Sequence, residues 1–371
     1  MMNDPIRVLV VDDSAFMRKA LCGMLASDPR ITVVGTGRNG EEALQKLDEL
    51  RPDVVTLDVE MPVMNGLAAL QRIMETRPLP VLMVSSLTTE GAKETLAALE
   101  LGAVDYIPKQ LDGVATRIVE VKDALIDKII AAAGAAGTLR RRRTRASLSR
   151  PDGQGVKAGS AAQSGPGAHV PGTVSASARA SWGDKLVAIG CSTGGPRALS
   201  EILPLLPEDF PAGIVIVQHM PKFFTKPFSE RMNQICRLDV REASDGDIVK
   251  PGVVLIAPGG VQLRVARRST MDVQVALSSD SEGLMHAPSV DVMMQSVASV
   301  YGERGIGVIL TGMGHDGLEG MRAIKDAKGR TIAQDEATCV VYGMPKAVVE
   351  AGCAEKVVPL PQVVGEIVNM V

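Results

Sequence analysis

Along residues 1 to about 130, short apolar runs alternate with amphipathic stretches. The runs Ile6–Val11, Ile31–Thr36, Val54–Leu57, Val81–Val84 and Val104–Ile107 are nearly continuous in Val, Ile and Leu, as strands buried on both faces must be. Between them Ala15–Ala26, Glu41–Leu50, Leu67–Thr76 and Lys93–Leu101 carry helical spacing, and Val114–Ala133 closes the unit as a further helix. Strands alternating with helices predict a parallel sheet covered on both faces. A second alternation runs from Lys185 to Val371. Its strand-like runs are Leu186–Ile189, Ile214–Val217, Val253–Ile256, Val273–Leu277, Ile306–Leu310 and Thr331–Ala333. Its helical stretches are Arg197–Leu203, Lys226–Ile235, Val290–Val300, Leu318–Ala327 and Pro345–Glu350. The loops of the two halves share no motif, so the second is a separate α/β domain and not a repeat.

Between the halves the pattern stops. From Gly134 to about Gly183, Gly, Ala, Ser, Pro and Arg dominate and large apolar residues nearly vanish. Such a segment buries too little surface to offset its ordering entropy, which predicts a flexible linker. Its basic cluster, Arg140 to Arg143 with Arg145, reads as a solvated stretch, with docking of an acidic partner as the alternative. The expected organisation is therefore a domain over 1–133, a linker over 134–183 and a second domain over 184–371.

Composition agrees with two cores. The chain has 371 residues, more than one ordinary core accommodates, and 46% are hydrophobic. Aromatics are only 2%, so aliphatic side chains must fill both cores. A formal net charge of -3 argues against a nucleic-acid-binding role for the whole chain. No apolar run is long enough to span a membrane, and the acidic start Met1-Met2-Asn3-Asp4 lacks the character of a signal peptide. Cys22, Cys191, Cys236, Cys339 and Cys353 show no paired spacing, which suits reduced thiols and a cytoplasmic protein.

In a parallel sheet, ligands bind beyond the carboxyl ends of the strands. Asp12 and Asp13 follow the first strand, Asp58 the third and Lys109 the fifth, while Ser85, with Ser86 beside it, ends the fourth. Three carboxylates gathered there make a hard-oxygen site of the kind magnesium prefers, and the lysine and hydroxyl can balance a phosphoryl group. Any one of these residues alone would read as a solvated loop side chain. The stretches V-D-D-S (11–14), L-D-V-E-M-P-x-M-N-G (57–66), M-V-S-S (83–86) and D-Y-I-P-K (105–109) resemble the receiver domains of two-component response regulators over residues 5–125. The resemblance implies that Asp58 is the phosphoacceptor and that Asp12 and Asp13 help hold Mg2+ with it. It also implies that Ser85 contacts the phosphoryl group, that Lys109 pairs with it, and that Tyr106 belongs to the surface reshaped on phosphorylation. Receivers commonly place proline after the lysine, and here the residue is Gln110.

In the second domain, Leu186–Ile189 runs into Gly190-Cys191-Ser192-Thr193-Gly194-Gly195-Pro196 and then a helix. This fits G-x-S-x-G, in which glycines permit a sharp turn that lifts a serine hydroxyl above the sheet. The following helix N-terminus offers N–H groups to an oxyanion, although Ser192 and Thr193 can equally be helix caps. Four histidines are candidates for the base. His169 lies in the linker, His286 precedes a helix, and His315 adjoins Asp316 in a glycine-rich loop. His219 emerges at the end of Ile214–Val217, and Asp316 follows Ile306–Leu310, so Ser192, His219 and Asp316 can converge above one sheet. Their order differs from the Ser, Asp/Glu, His order of α/β-hydrolases, so that fold is not implied.

One motif competes. Gly312 to Gly317 matches G-x-G-x-x-G between a strand and a helix, with Asp335 and Glu336 downstream, as in a dinucleotide-binding oxidoreductase. Against it stand A-I-G-x-S-T-G-G-P (188–196), V-Q-H-M-P (217–221), I-A-P-G (256–259), P-S-V-D (288–291), G-V-I-L-T-G-M-G-x-D-G (307–317) and I-A-Q-D-E-A-T-C-V-V-Y-G-M-P (332–345). Together they resemble the catalytic domain of the CheB family of chemotaxis protein-glutamate methylesterases, over Lys185 to about Pro361. The resemblance implies two doubly wound parallel-sheet α/β domains, a flavodoxin-like receiver and a Rossmann-like methylesterase domain. It further implies a Ser192, His219, Asp316 triad, with Thr193, Gly194 and Met313 as oxyanion or positioning candidates and no cofactor for hydrolysis; His315 carries no implied role. The implied substrates are glutamate methyl esters, and selected glutamines, on methylated chemoreceptors. A chemotaxis histidine kinase would be the phosphodonor, and a cytoplasmic protein would be recruited to membrane receptor arrays without inserting. Before phosphorylation of Asp58, the receiver would obstruct access to Ser192.

Overall fold

The computed structural model describes residues 4–86, 88–109, 121–134, 185–269, 272–280 and 285–371. The linker expectation, its arginine cluster, His169, Gln110 and the first turns of the helix expected from Val114 lie outside the described residues. Among the described residues no helix is long and apolar enough to cross a membrane.

The N-terminal unit runs β1 (Ile6–Val11), α1 (Ala15–Leu25), β2 (Ile31–Gly37), α2 (Gly40–Leu50), β3 (Val54–Asp58), α3 (Gly66–Thr76), β4 (Val81–Ser85), α4 (Thr89–Leu101) and β5 (Asp105–Pro108), followed by helix α5, described over 121–134. Its sheet has the order β2-β1-β3-β4-β5, parallel throughout. Strand alternation explains the layering. Val8 and Val10 face Leu21 and Leu25 of α1 and Leu125 and Ile129 of α5, while Leu9 and Val11 face α2, α3 and α4. Helix starts follow local capping: Ser14, Asn39, Asn65 and Thr88 each accept a hydrogen bond from an N–H of the first turn.

The C-terminal unit contains β6 (Leu186–Cys191), α6 (Gly195–Ile202), β7 (Gly213–Gln218), α7 (Lys222–Ile235), β8 (Asp239–Glu242) and β9 (Val253–Ile256). There follow β10 (Gln262–Arg267), β11 (Val273–Ser278), α8 (Val290–Tyr301), β12 (Gly305–Ile309), α9 (Leu318–Asp326), β13 (Arg330–Gln334), α10 (Met344–Glu350), β14 (Lys356–Val358) and α11 (Leu360–Met370). Seven strands form one parallel sheet in the order β14-β13-β12-β6-β7-β9-β8, with β6 at its centre. The run at Val273–Leu277 is not part of that sheet. It pairs antiparallel with β10 as a separate hairpin. The edge strands β8 and β14 and the helix α11 carry no pattern that the sequence reading registered. β8 is Asp-Val-Arg-Glu, with one buried residue, and β14 is only three residues long.

The two units share an interface formed by α4 and β5 on one side and α6 and α7 on the other. Tyr106 stacks on Phe224 with ring centroids 4.4 Å apart and planes 21° apart. Leu96 and Leu99 line one seam with Phe228 and Met232. At its edge Arg231 makes a bidentate pair with Glu100, both contacts 2.8 Å.

Candidate active site

Pairing of β6 with β7 places Cys191 opposite Gln218, so Ser192 and His219 are the next residues on neighbouring central strands. His219 N–H donates to Cys191 O at 3.2 Å, and Gln218 Nε2 donates to the carbonyls of both Ser192 (3.1 Å) and His219 (3.0 Å). The turn after Ser192 needs its glycines for two different reasons. Gly194 sits at φ +79°, where side chains are strained, and a Cβ on Gly195 would lie 1.9 Å from Gln218 Oε1. Ser192 N–H donates to Thr311 O at 3.1 Å.

Asp316 reaches the same place from the loop between β12 and α9. Its Oδ2 lies 2.7 Å from His219 Nε2. The rest of the carboxylate is held by the start of α8: Oδ1 accepts from Ser289 Oγ (2.9 Å) and Asp291 N (3.0 Å), and Oδ2 from Val290 N (2.8 Å). Burial works to raise the pKa of Asp316, but the His219 hydrogen bond and charge, with the Asp291 and Val290 N–H groups, outweigh it and hold the group below the ordinary carboxylate range. An ionised Asp316 can only accept, so Nε2 carries the ring proton and the lone pair of neutral His219 is on Nδ1. Asp291 itself accepts from Gly320 N at 2.7 Å, and burial, together with the nearby Asp316, raises its pKa to about 6.

Sequence reasoning missed the α8 cradle. Its signal was present in P-S-V-D (288–291): a capping serine with an acidic first turn marks a helix start, although nothing local says that Asp316 occupies it. His286 was also passed over, and its ring stacks on His219 at 4.1 Å. His315 is exposed, Met313 half-buried, and Gly194 caps α6. The Thr193 hydroxyl donates to Asp105 Oδ2 of β5 at 2.6 Å, and Lys128 Nζ lies 2.9 Å from the same oxygen. A strand of the N-terminal unit thus bonds directly to the residue after the serine.

The N-terminal pocket gathers as its motifs predict. Ligand oxygens of Asp12, Asp13 and Asp58 lie within 4.8 Å of one another. Asp12 and Asp58 are buried, and Lys109 Nζ lies 2.6 Å from Asp58 Oδ2 and 3.2 Å from Asp12 Oδ2. These are ionic contacts without hydrogen-bond alignment, which leaves both oxygens short of directional donors. Burial first, then the neighbouring Asp12 charge, raises the Asp58 pKa to about 6 against the pull of Lys109. Three clustered hard oxygens with unmet acceptor capacity fit a magnesium ion that keeps several waters. The Ser85 hydroxyl is engaged elsewhere, with Gly91 O (3.1 Å) and Thr95 Oγ1 (2.6 Å) in the first turns of α4.

Known proteins resemble both units of the chain. A family model described as CheB methylesterase matches residues 187–367, and one described as response regulator receiver domain matches 8–118. A protein-glutamate methylesterase/protein-glutamine glutaminase of Oleidesulfovibrio alaskensis is 48% identical, with 99% of each chain covered. Another, of Nitratidesulfovibrio vulgaris, is 49% identical over 98% of this chain and 99% of the relative. Among solved structures, the catalytic domain of Thermotoga maritima CheB methylesterase is 44% identical, covering 50% of this chain and 98% of that one at a TM-score of 0.49. The response regulator domain of the same organism's CheB is 49% identical, covering 35% and 97% at a TM-score of 0.32. The acid of the G-x-G-x-x-G loop faces an imidazole and a helix start, and the relatives are esterases, so the dinucleotide-binding alternative falls away. With 48% identity to a methylesterase/glutaminase over 99% of both chains and a receiver-domain match ahead of the catalytic one, the chain belongs to the CheB family of chemotaxis protein-glutamate methylesterases.

Proposed function

We propose that this protein hydrolyses glutamate γ-methyl esters on methylated chemoreceptors and deamidates selected receptor glutamines, under control of Asp58 phosphorylation by a chemotaxis histidine kinase. The observation that carries the reading is the 2.7 Å His219–Asp316 contact beside Ser192 at the ends of adjacent central strands. In this reading His219 Nδ1 takes the Ser192 proton as the hydroxyl attacks the ester carbonyl, then delivers it to the departing methanol. Asp316 holds the tautomer and stabilises the imidazolium. N–H groups near Thr193, Gly194 and Met313 stabilise the oxyanion, each donor contributing about 3 kcal/mol of barrier lowering. For glutamine substrates the same acyl-enzyme forms with ammonia as the leaving group.

The working division is receiver over 1–133, linker over 134–183 and methylesterase over 184–371. Asp12, Asp13 and Asp58 would hold a magnesium ion, which supplies charge neutralisation for phosphoryl transfer to Asp58. Lys109 pairs with the phosphoryl group, and Ser85 leaves its α4 partners to reach it. Tyr106 and Asp105 lie against Phe224 and Thr193, so rearrangement of β5 and α4 bears directly on the serine turn. The protein works in the cytoplasm at receptor arrays. The test is methanol release from methylated receptor segments by wild type and Ser192→Ala, with and without a small phosphodonor. Release by Ser192→Ala at the wild-type rate would overturn the reading.

A further inference from the structure

The segment from His286 to Asp291 lies against both His219 and Asp316, and only its α8 end is accounted for by Asp316. Its other end places His286 face to face with His219, the ring centroids 4.1 Å apart and the planes 23° apart. This placement is built. Gln262, fully buried on β10, donates through Nε2 to His286 O at 2.7 Å and accepts Ser289 N–H at 2.8 Å. Gly260 N–H donates to Ala287 O at 2.9 Å. The first residue of the hairpin outside the main sheet, with the loop just before it, therefore fixes the backbone from His286 to Ser289.

The groups that face this ring are His219 from the end of β7 and His315 and Asp316 from the loop before α9. Burial, then the charge of His219, lowers the His286 pKa to about 4, against Asp316, so the ring is uncharged at neutral pH. An uncharged aromatic face attracts a cation over it. His219 gains its positive charge only when it takes the serine proton, so this attraction is greater in the transition state than in the ground state.

We propose that His286 is a positioning residue of the esterase, a stacked ring that fixes the plane of His219 between Asp316 and Ser192 and stabilises the imidazolium formed during acyl transfer. The proposal rests on the reading of His219 as the base. Substrate does not touch His286 in this scheme, so the effect falls on kcat and not on KM.

The experiment measures kcat and KM for methanol release by the full chain with saturating phosphodonor. It compares wild type, His286→Ala, His286→Phe, His286→Gln and His219→Ala, with circular dichroism to check folding. His286→Ala is expected to lower kcat about 2- to 30-fold, the range of a stacking or cation–π contact, with KM changed less than about 2-fold. His286→Phe keeps an aromatic face and restores most of the loss, and His286→Gln does not. If Gln restores activity and Phe does not, a polar atom acts and the proposal is overturned; an unchanged kcat in His286→Ala overturns it as well. Should His286→Ala fail to fold, the order of Phe and Gln still decides. Undiminished release by His219→Ala would instead remove the reading of His219 as the base, a separate failure.

Discussion

Asp58 and Asp316 are both largely buried carboxylates at the ends of parallel strands, yet their environments drive them in opposite directions. Among the described residues Asp58 accepts one weak N–H, from Glu60 at 3.3 Å, and it shares Lys109 with Asp12, and its pKa rises to about 6. Asp316 accepts from a hydroxyl, two helix N–H groups and an imidazole, and its pKa falls below the usual range. Burial opposes ionisation in both, so the oriented donors together with the neighbouring charges, Asp12 beside Asp58 and His219 beside Asp316, decide. The difference suits two tasks. In the proposed mechanism Asp316 stays ionised and still to hold a base, whereas Asp58 keeps acceptor capacity open for a metal ion and a phosphoryl group.

The largest expected effect breaks the Asp316 side of this comparison. Asp316→Asn should lower kcat about 10^3- to 10^4-fold, because an amide no longer enforces the productive tautomer. Steady-state methanol release checks this; a loss under about 10-fold would mean that the α8 cradle, and not the carboxylate, orients His219.

The Asp58 side should break differently. Asp58→Asn is expected to abolish stimulation by a small phosphodonor while leaving basal kcat within about 2-fold of wild type. Parallel assays with and without the donor read it, and surviving stimulation would exclude Asp58 as the acceptor.

Between the regions, the Glu100–Arg231 pair joins α4 to α7 at a partly exposed edge. An exposed pair contributes at most about 1 kcal/mol, so Glu100→Lys should raise unphosphorylated activity only about 2- to 5-fold. The charge exchange Glu100→Lys with Arg231→Glu should return it toward wild type. A basal rate lowered by Glu100→Lys would contradict an obstructing interface.

The smallest effect is one of stability. Asp291, next to Asp316, has a folded pKa raised to about 6. A raised carboxyl pKa contributes stability that is fully present below the unfolded value of about 4 and is lost as pH rises through about 6. Relative to Asp291→Asn, wild type should therefore lose about 1–2 kcal/mol between pH 4.5 and 7.5, seen in urea midpoints. Asp316 has the opposite sign: its contribution is present above about pH 4 and lost as pH falls through its depressed folded value. An identical difference between wild type and Asp291→Asn at both pH values would show that the Asp291 carboxyl does not titrate with folding.

Much of this was legible before any coordinates. Apolar runs of strand length alternating with amphipathic stretches determined two parallel α/β sheets. Residues placed just past strand ends pointed to convergence, and the structure brings Asp12, Asp13, Asp58 and Lys109 together, joins His219 to Asp316, and ends the Ser192 strand beside that of His219. Those inferences succeed because strand period and strand-end position are local properties that parallel topology converts into proximity. The polar edge strand β8 and the strand β10 escaped, and Val273–Leu277 reads as a strand without its place in a separate hairpin, because these segments bury few side chains in the main sheet and pairing partners leave no local pattern. The tertiary structure alone decided three things: that Asp316 sits in the start of α8, that His286 covers His219, and that Asp105 bonds Thr193 across the domain interface. Each joins side chains from elements with no pairing register between them, and packing of helices and loops, which no sequence period encodes, brings them together.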